Sequence, residues 1–267
     1  MDGTTNARRI VTAVLLGFSL PLALFYPIFT WITGNSLGDF LDNFLTILLF
    51  IPFFLLFYLF CGEYAEKQSA RELLLRLAFC AMLVALYVVL NRFASISAPG
   101  FKIGFSVVCP MIAGMLFGPA SGALVYGLGD LVSAILFPFG VYHPGFTFTA
   151  VLMGFLWGLC THPAPFRNIL HSFTGDRKGR IKAILWILPP ALFNCLVLGL
   201  FVNTLWVAQL YGSKTYWGWF ASRLTEYAVM VPVNVVLAAA ILPVTLALHK
   251  HGLLHAFSRR KRSKKAE

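Results

Sequence analysis

The sequence predicts an all-α integral membrane protein. Of its 267 residues 59% are hydrophobic and only 12% are charged, and the mean hydropathy is +0.80, a composition that belongs to a chain dissolved in lipid. Apolar windows near the roughly 20 residues a helix needs to cross a bilayer recur along the whole length, and period-two alternation long enough for a barrel is absent. Within a bilayer every backbone polar group must be satisfied internally, which leaves a helical bundle.

Eight windows qualify: residues 10–31, 44–61, 73–92, 105–117, 120–137, 147–160, 184–209 and 224–248. The first follows Arg8 and Arg9 and is interrupted by Pro21 and Pro27; it is too long for an ordinary cleaved signal peptide, and no small-residue cleavage site follows it. Between the first two windows, residues 34–43 carry Asp39 and Asp42 and no base. Two windows, 105–117 and 147–160, are short and need tilt, protein neighbours or a water-filled cavity at one end. Gly114, Gly118, Gly122, Gly127 and Gly129 fall in two successive windows and favour close helix contact. The segment 138–147, Pro-Phe-Gly-Val-Tyr-His-Pro-Gly-Phe-Thr, joins two spans and has the composition of a tightly turning, solute-capturing lid.

The basic residues give the orientation. With eight spans, seventeen of the 21 Lys and Arg fall on one side, and Arg92, Lys102, Lys214 and Arg223 remain on the other. Cytoplasmic loops accumulate such residues, so both termini are expected in the cytoplasm. The net charge of +11 therefore reports topology, and the run Arg259-Arg260-Lys261-Arg262-Ser263-Lys264-Lys265 reads as a solvated tail beside anionic headgroups, not a nucleic-acid site.

Several kinds of chemistry are unsupported. Cys61, Cys80, Cys109, Cys160 and Cys195 lie in or at the ends of apolar windows without a CxxC pair and read as small buried hydrophobes. His162, His171, His249, His251 and His255 lie at or beyond the inner ends of spans; only His143 sits where a solute would meet it, and no metal site or cofactor is expected. There is no phosphate-cradling G-x-x-x-x-G-K-[ST], so active transport would draw on ATP hydrolysed elsewhere. Asp130 and Glu226, the acidic residues within the spans, form no catalytic dyad recognisable from sequence.

The blocks Lys102-Ile103-Gly104-Phe105, Ala113-Gly114-Met115-Leu116-Phe117-Gly118-Pro119, the whole of 137–147, and Val202-Asn203-Thr204-Leu205-Trp206 occur in an order that resembles the folate-type substrate-binding, or S, components of energy-coupling factor (ECF) transporters, from about Arg76 to Leu248. The resemblance implies a six-helix S-component-like core with an outward-open vitamin site, working with a transmembrane coupling subunit and two ATPases. On that reading residues 71–250 form the core, residues 1–70 are an extension with two additional transmembrane helices, and residues 251–267 are a basic cytoplasmic tail. The family pattern supplies no role for the extension, and the insert 162–180 is long for that pattern.

The residues themselves suggest roles. Arg92 and Lys102 bracket the first outer loop of the core, where a guanidinium and an ammonium would attract the two carboxylates of a folate tail; both could equally snorkel to the membrane surface. Tyr142, His143 and Phe146 offer rings and polar tips suited to stacking a pterin, or to an interfacial aromatic belt. Asn203 and Trp206, three apart, share a helical face, so that an amide and an indole could meet one ligand, though an intramembrane Asn also bonds neighbouring helices. Arg223 is expected to pair with Glu226, and Asp130 is read as either a pocket acceptor or a buried structural partner, and is not taken as a ligand residue. Ala81 and Ala85 form a small-xxx-small pair that, by the resemblance, docks on the coupling subunit.

The expected function is a high-affinity membrane binding subunit for folate or a reduced folate, with no catalytic activity. Another vitamin on the same fold is the nearest alternative. A membrane enzyme acting on a lipid or cofactor would need reactive ionisable groups gathered at one depth, and the outer segments supply mostly aromatics and amides.

Overall fold

A computed structural model describes residues 70–98, 101–138, 142–162, 176–211 and 215–250, with the isolated positions 48 and 51. Apart from positions 48, 51 and 70, the N-terminal extension lies outside these residues, as does the basic tail. Helix α1 (Ala70–Phe93) leads into a two-stranded antiparallel hairpin, β1 (Ile96–Ala98) and β2 (Phe101–Ile103). Then follow α2 (Val108–Phe117), α3 (Pro119–Leu136) and α4 (Pro144–Thr161). A long helical stretch comprises α5 (Arg177–Phe193), a π-helix (Asn194–Val202) and α6 (Asn203–Tyr211), and α7 (Tyr216–Lys250) closes the bundle.

Among the described residues, five helices have the length and apolarity to cross a membrane: Leu73–Phe93, Pro119–Leu136, Pro144–Thr161, Arg177–Tyr211 and Tyr216–Thr245; α2 is apolar but shorter. Counting the stretch from α5 to α6 as one, the core has six helical segments among the described residues, as the sequence predicts. Helix α7, with 35 residues, is about 52 Å long at 1.5 Å per residue. That exceeds a hydrocarbon core of about 30 Å, so its ends reach beyond the apolar layer.

Small residues set the packing of the centre. Helices α3 and α4 cross with Gly122 against Gly154, where a Cβ on either glycine would run into the carbonyl oxygen of the other. One turn along α4, a Cβ on Gly158 would lie 2.5 Å from the Pro119 Cα. Trp157, 1% exposed, uses the space left by these contacts to reach α2, donating from Nε1 to the Met111 carbonyl at 3.1 Å. The α2–α3 junction turns at Gly118, whose φ of 92° favours a residue without a Cβ. Two side chains hold it in place. Arg76 donates from Nη2 to the Phe117 carbonyl at 2.6 Å and from Nε to Ser121 Oγ at 2.8 Å, and His162 Nδ1 donates to the Met115 carbonyl at 2.9 Å.

Three expectations are modified. The loop after α1 is a hairpin, with Ile96 opposite Ile103, Ser97 opposite Lys102 and Ala98 opposite Phe101, so the bundle carries a small β element where three-residue strands satisfy each other's backbone. Helix α4 begins at Pro144, inside the segment read as lid, because proline suits a first helical turn and His143 caps it. Cys160 is exposed, unlike Cys80, Cys109 and Cys195; at the end of a membrane helix an exposed thiol beside exposed Leu159 has the apolar character its surroundings demand.

Candidate functional site

A cavity of about 310 Å³ opens among the helices, at the small end of the ~300–1,000 Å³ range of ligand pockets. Helix α1 contributes Tyr87 and Asn91, one turn apart; α3 contributes Tyr126; α4 contributes Phe146, Met153 and Trp157. The long stretch adds Asn194, Cys195, Gly199 and Asn203, and α7 adds Arg223, Glu226, Tyr227, Met230 and Asn234. The α7 residues fall at i, i+3, i+4, i+7 and i+11, a stripe along one helical face. The walls thus combine aromatic rings with four asparagines and one pair of opposite charges.

The charged pair is loosely held. Arg223 Nε meets Glu226 Oε2 at 3.5 Å, with the side chains 14% and 12% exposed. The same guanidinium donates to Thr204 Oγ1 from Nη1 and to the Tyr227 hydroxyl from Nη2, both at 3.3 Å. All three distances are long for charge-assisted bonds, which favour about 2.7–2.9 Å, so the guanidinium can tighten onto a better acceptor without losing a strong bond. The pairing expected from the i, i+3 spacing is present, and it stands in the cavity wall.

Asparagines complete the polar inventory. Asn194 donates from Nδ2 to the Met153 carbonyl at 3.1 Å, and Asn234 donates from Nδ2 to Cys195 Sγ at 3.2 Å. Among the described residues, the amide oxygens of Asn194, Asn203 and Asn234 are buried without a hydrogen-bond partner. Each such acceptor carries a desolvation penalty of about 1–3 kcal/mol until a donor reaches it. All three belong to cavity-lining residues.

Of the residues singled out from sequence, Phe146 and Asn203 line the cavity. Arg92 lies in the last turn of α1 and donates from Nη2 to the Ser133 carbonyl at 2.7 Å, joining α1 to α3; its neighbour Asn91 reaches the cavity. Lys102 sits in β2 opposite Ser97, two residues before cavity-lining Gly104. Tyr142, His143 and Trp206 are outside the lining. The Tyr142 hydroxyl is 3.0 Å from Thr147 Oγ1, which donates to Asp130 Oδ2 at 2.7 Å. His143 accepts the Gly145 N–H at Nδ1, 3.0 Å away, and burial lowers its pKa to about 4. Trp206, fully buried, donates from Nε1 to Thr149 Oγ1 at 2.9 Å. Ala81 and Ala85 are both exposed on α1.

Sequence reasoning passed over Tyr87, Asn91, Tyr126, Trp157, Asn194, Tyr227 and Asn234 as cavity residues. Two signals were available: Tyr87 and Asn91 at i, i+4 in an otherwise apolar helix, and the polar stripe from Arg223 to Asn234. No regular spacing pointed to Asn194, which lies nine residues before Asn203.

A family model described as the S component of ECF-type riboflavin transporters matches residues 71–248. The chain belongs to this family. As an S component it is the substrate-binding subunit of an ECF-type vitamin importer, a multi-pass membrane protein that works with ECF partner subunits, and not an enzyme. Among its relatives, the folate transporter FolT of Clostridium novyi (strain NT) is 30% identical over 158 residues, covering 59% of this chain and 82% of that one. A second folate transporter FolT, from a strain of Leuconostoc mesenteroides subsp. mesenteroides, is 23% identical over 159 residues, covering 58% and 77%. The crystal structure of an S component for biotin from an ECF-type ABC transporter superposes with a TM-score of 0.50 at 18% identity, over 72% of this chain and 99% of that one. The last comparison identifies the S-component fold.

Proposed function

We propose that the cavity binds folate or a reduced folate, and that the chain passes it to a transmembrane coupling subunit driven by two ATPases. The observation that carries this reading is the surplus of acceptors: three unpartnered amide oxygens in lining residues and one carboxylate, Glu226. A pterin presents an amino group and an adjacent ring N–H along one edge, which a carboxylate or amide oxygens can receive together. The isoalloxazine ring of riboflavin presents a single imide N–H between two carbonyls, so its edge meets fewer of these acceptors than a pterin edge does, and its other donors are the hydroxyls of its side chain. Tyr87, Tyr126, Trp157 and Phe146 supply faces for a flat heterocycle, and the two FolT relatives support the same ligand class.

Folate also carries two carboxylates. Arg223 is the cation in the cavity wall, while Arg92, next to lining residue Asn91, and Lys102, two residues before lining residue Gly104, are proposed to draw the anionic tail toward the entrance. Phe146 and Asn203 are proposed ligand contacts. Tyr142, His143 and Trp206 are proposed to act from behind them, fixing the start of α4 against α6.

Calorimetric titration of the detergent-purified chain with folate, riboflavin, thiamine and biotin tests the reading. One-to-one binding of folate alone is the expected result. Heat from riboflavin alone would instead assign the ligand named in the family description, and the acceptor argument would fall.

A further inference from the structure

Thr204 belongs to the sequence block 202–206, between cavity-lining Asn203 and buried Trp206. Its side chain is fully buried and does not line the cavity. The hydroxyl meets two groups: the Leu200 carbonyl, four residues back in the π-helix, and Nη1 of Arg223 on α7 at 3.3 Å. A carbonyl can only accept and a guanidinium can only donate. The single hydroxyl proton therefore goes to Leu200, and the remaining lone pairs are left to Arg223. Threonine in a helix often bonds back to the carbonyl four residues earlier; here that bond fixes the direction of the acceptor that Arg223 meets.

The other partners of Arg223 do less to place it. Nε faces Glu226 Oε2 at 3.5 Å, Nη2 faces the Tyr227 hydroxyl at 3.3 Å, and the guanidinium carbon stands 5.4 Å from the centroid of the Tyr227 ring. Both residues sit on α7 with Arg223 itself. Among the described residues, Thr204 supplies the hydrogen bond that ties the guanidinium to another helix. Three of the five N–H groups are engaged in this way, and one on each terminal nitrogen stays available to a ligand in the cavity that Arg223 lines.

We infer that Thr204 is a positioning residue for the ligand site: its hydroxyl, turned by the Leu200 carbonyl, holds the Arg223 guanidinium at the cavity wall before a ligand arrives, so that binding has less side-chain ordering left to do. The inference rests on the reading of this cavity as the vitamin site, and it requires no contact between Thr204 and the ligand. Valine at this position keeps the volume but sets a methyl group against Nη1, whereas serine keeps the acceptor.

The test is titration calorimetry on the full chain carrying Thr204→Val, with whichever of folate and riboflavin the parent binds. Affinity is expected to fall about three- to tenfold, with Thr204→Ser close to the parent. A purely structural defect would look alike in Thr204→Val alone, so the deciding measurement is the cycle with Arg223→Ala. In that background Thr204→Val should cause no further loss, because the group it positions is gone. The same fold-loss in both backgrounds, or unchanged affinity in Thr204→Val, would overturn the inference. Thr204→Ala and Arg223→Met stand in for either variant that is not recovered folded. A parent that binds a vitamin equally well without Arg223 removes the inference and leaves the functional reading intact, whereas a parent that binds neither vitamin removes both.

Discussion

His143 stacks on Trp206 with ring centroids 5.4 Å apart and an interplanar angle of 26°. The contact joins the residue that caps α4 to the centre of α6. Its imidazole accepts the Gly145 N–H, the indole donates to Thr149, and Thr149 in turn donates to the Gly145 carbonyl at 2.9 Å. A Cβ on Gly145 would lie 2.6 Å from Trp206 Cε2, so the sequence His-Pro-Gly is needed here for a cap, a fixed first turn and a close approach. Two aromatic residues that the sequence offers as ligand contacts therefore satisfy each other.

Acid should loosen this junction. The Nδ1 atom of His143 must be unprotonated to accept the cap bond, and burial lowers its pKa from 6.5 to about 4. The unfolded chain thus takes up a proton before the folded one does. The stability that the neutral ring contributes is complete above about pH 6.5 and is lost progressively as the pH falls toward 4, by up to about 1.4 kcal/mol for each pH unit crossed. The Tm of the detergent-solubilised chain should drop across this window. In His143→Asn, which keeps a capping acceptor without a titrating ring, the contribution of this site to the drop should vanish.

Gly154→Ala should separate α3 from α4. The new methyl would meet the Gly122 carbonyl, which is backbone and cannot rotate away, and overpacking of this kind costs about 1–3 kcal/mol or more. A lower Tm and reduced recovery of folded protein are expected, with Gly122→Ala behaving alike. A neutral Gly154→Ala variant would show that the two helices are not locked at this crossing.

Arg223→Ala should weaken folate binding by about tenfold to a hundredfold, the equivalent of about 1.5–3 kcal/mol for a hydrogen bond to a charged group. Arg223→Lys should restore the effect only in part, since an ammonium lacks the planar fork. Titration calorimetry on both variants checks this, with the Tm measured in parallel because the residue also reaches Thr204 and Tyr227.

Ala81→Trp places a large ring on the exposed side of α1. Tyr87 and Asn91 face the cavity on the same helix, so folate binding by the isolated subunit should be unchanged, while co-purification with the transmembrane coupling subunit should be lost. Intact assembly would remove Ala81 and Ala85 from the docking face.

The membrane class, the six-helix core and the S-component family were legible because apolar length, glycine placement and ordered motif blocks are properties of the chain itself. The site was legible only in part. Phe146 and Asn203 could be named because each stood out against an apolar or Gly-rich background. Trp206 stood out equally, yet its ring is taken up by His143 and its N–H by Thr149, pairings 63 and 57 residues distant in the chain. The Arg223–Glu226 pair follows from its spacing, but sequence could not show that it lines a cavity.

By itself the sequence determined that the chain dissolves in lipid, where its apolar spans run, and which polar side chains must be carried into the bilayer, since these follow from local transfer energies. Only the tertiary structure decided which of those polar groups satisfy one another and which are left facing the cavity. Asn194 and Asn203 show why: at α-helical spacing they belong to opposite faces, and a local change of register, invisible to any fixed period, puts them on one.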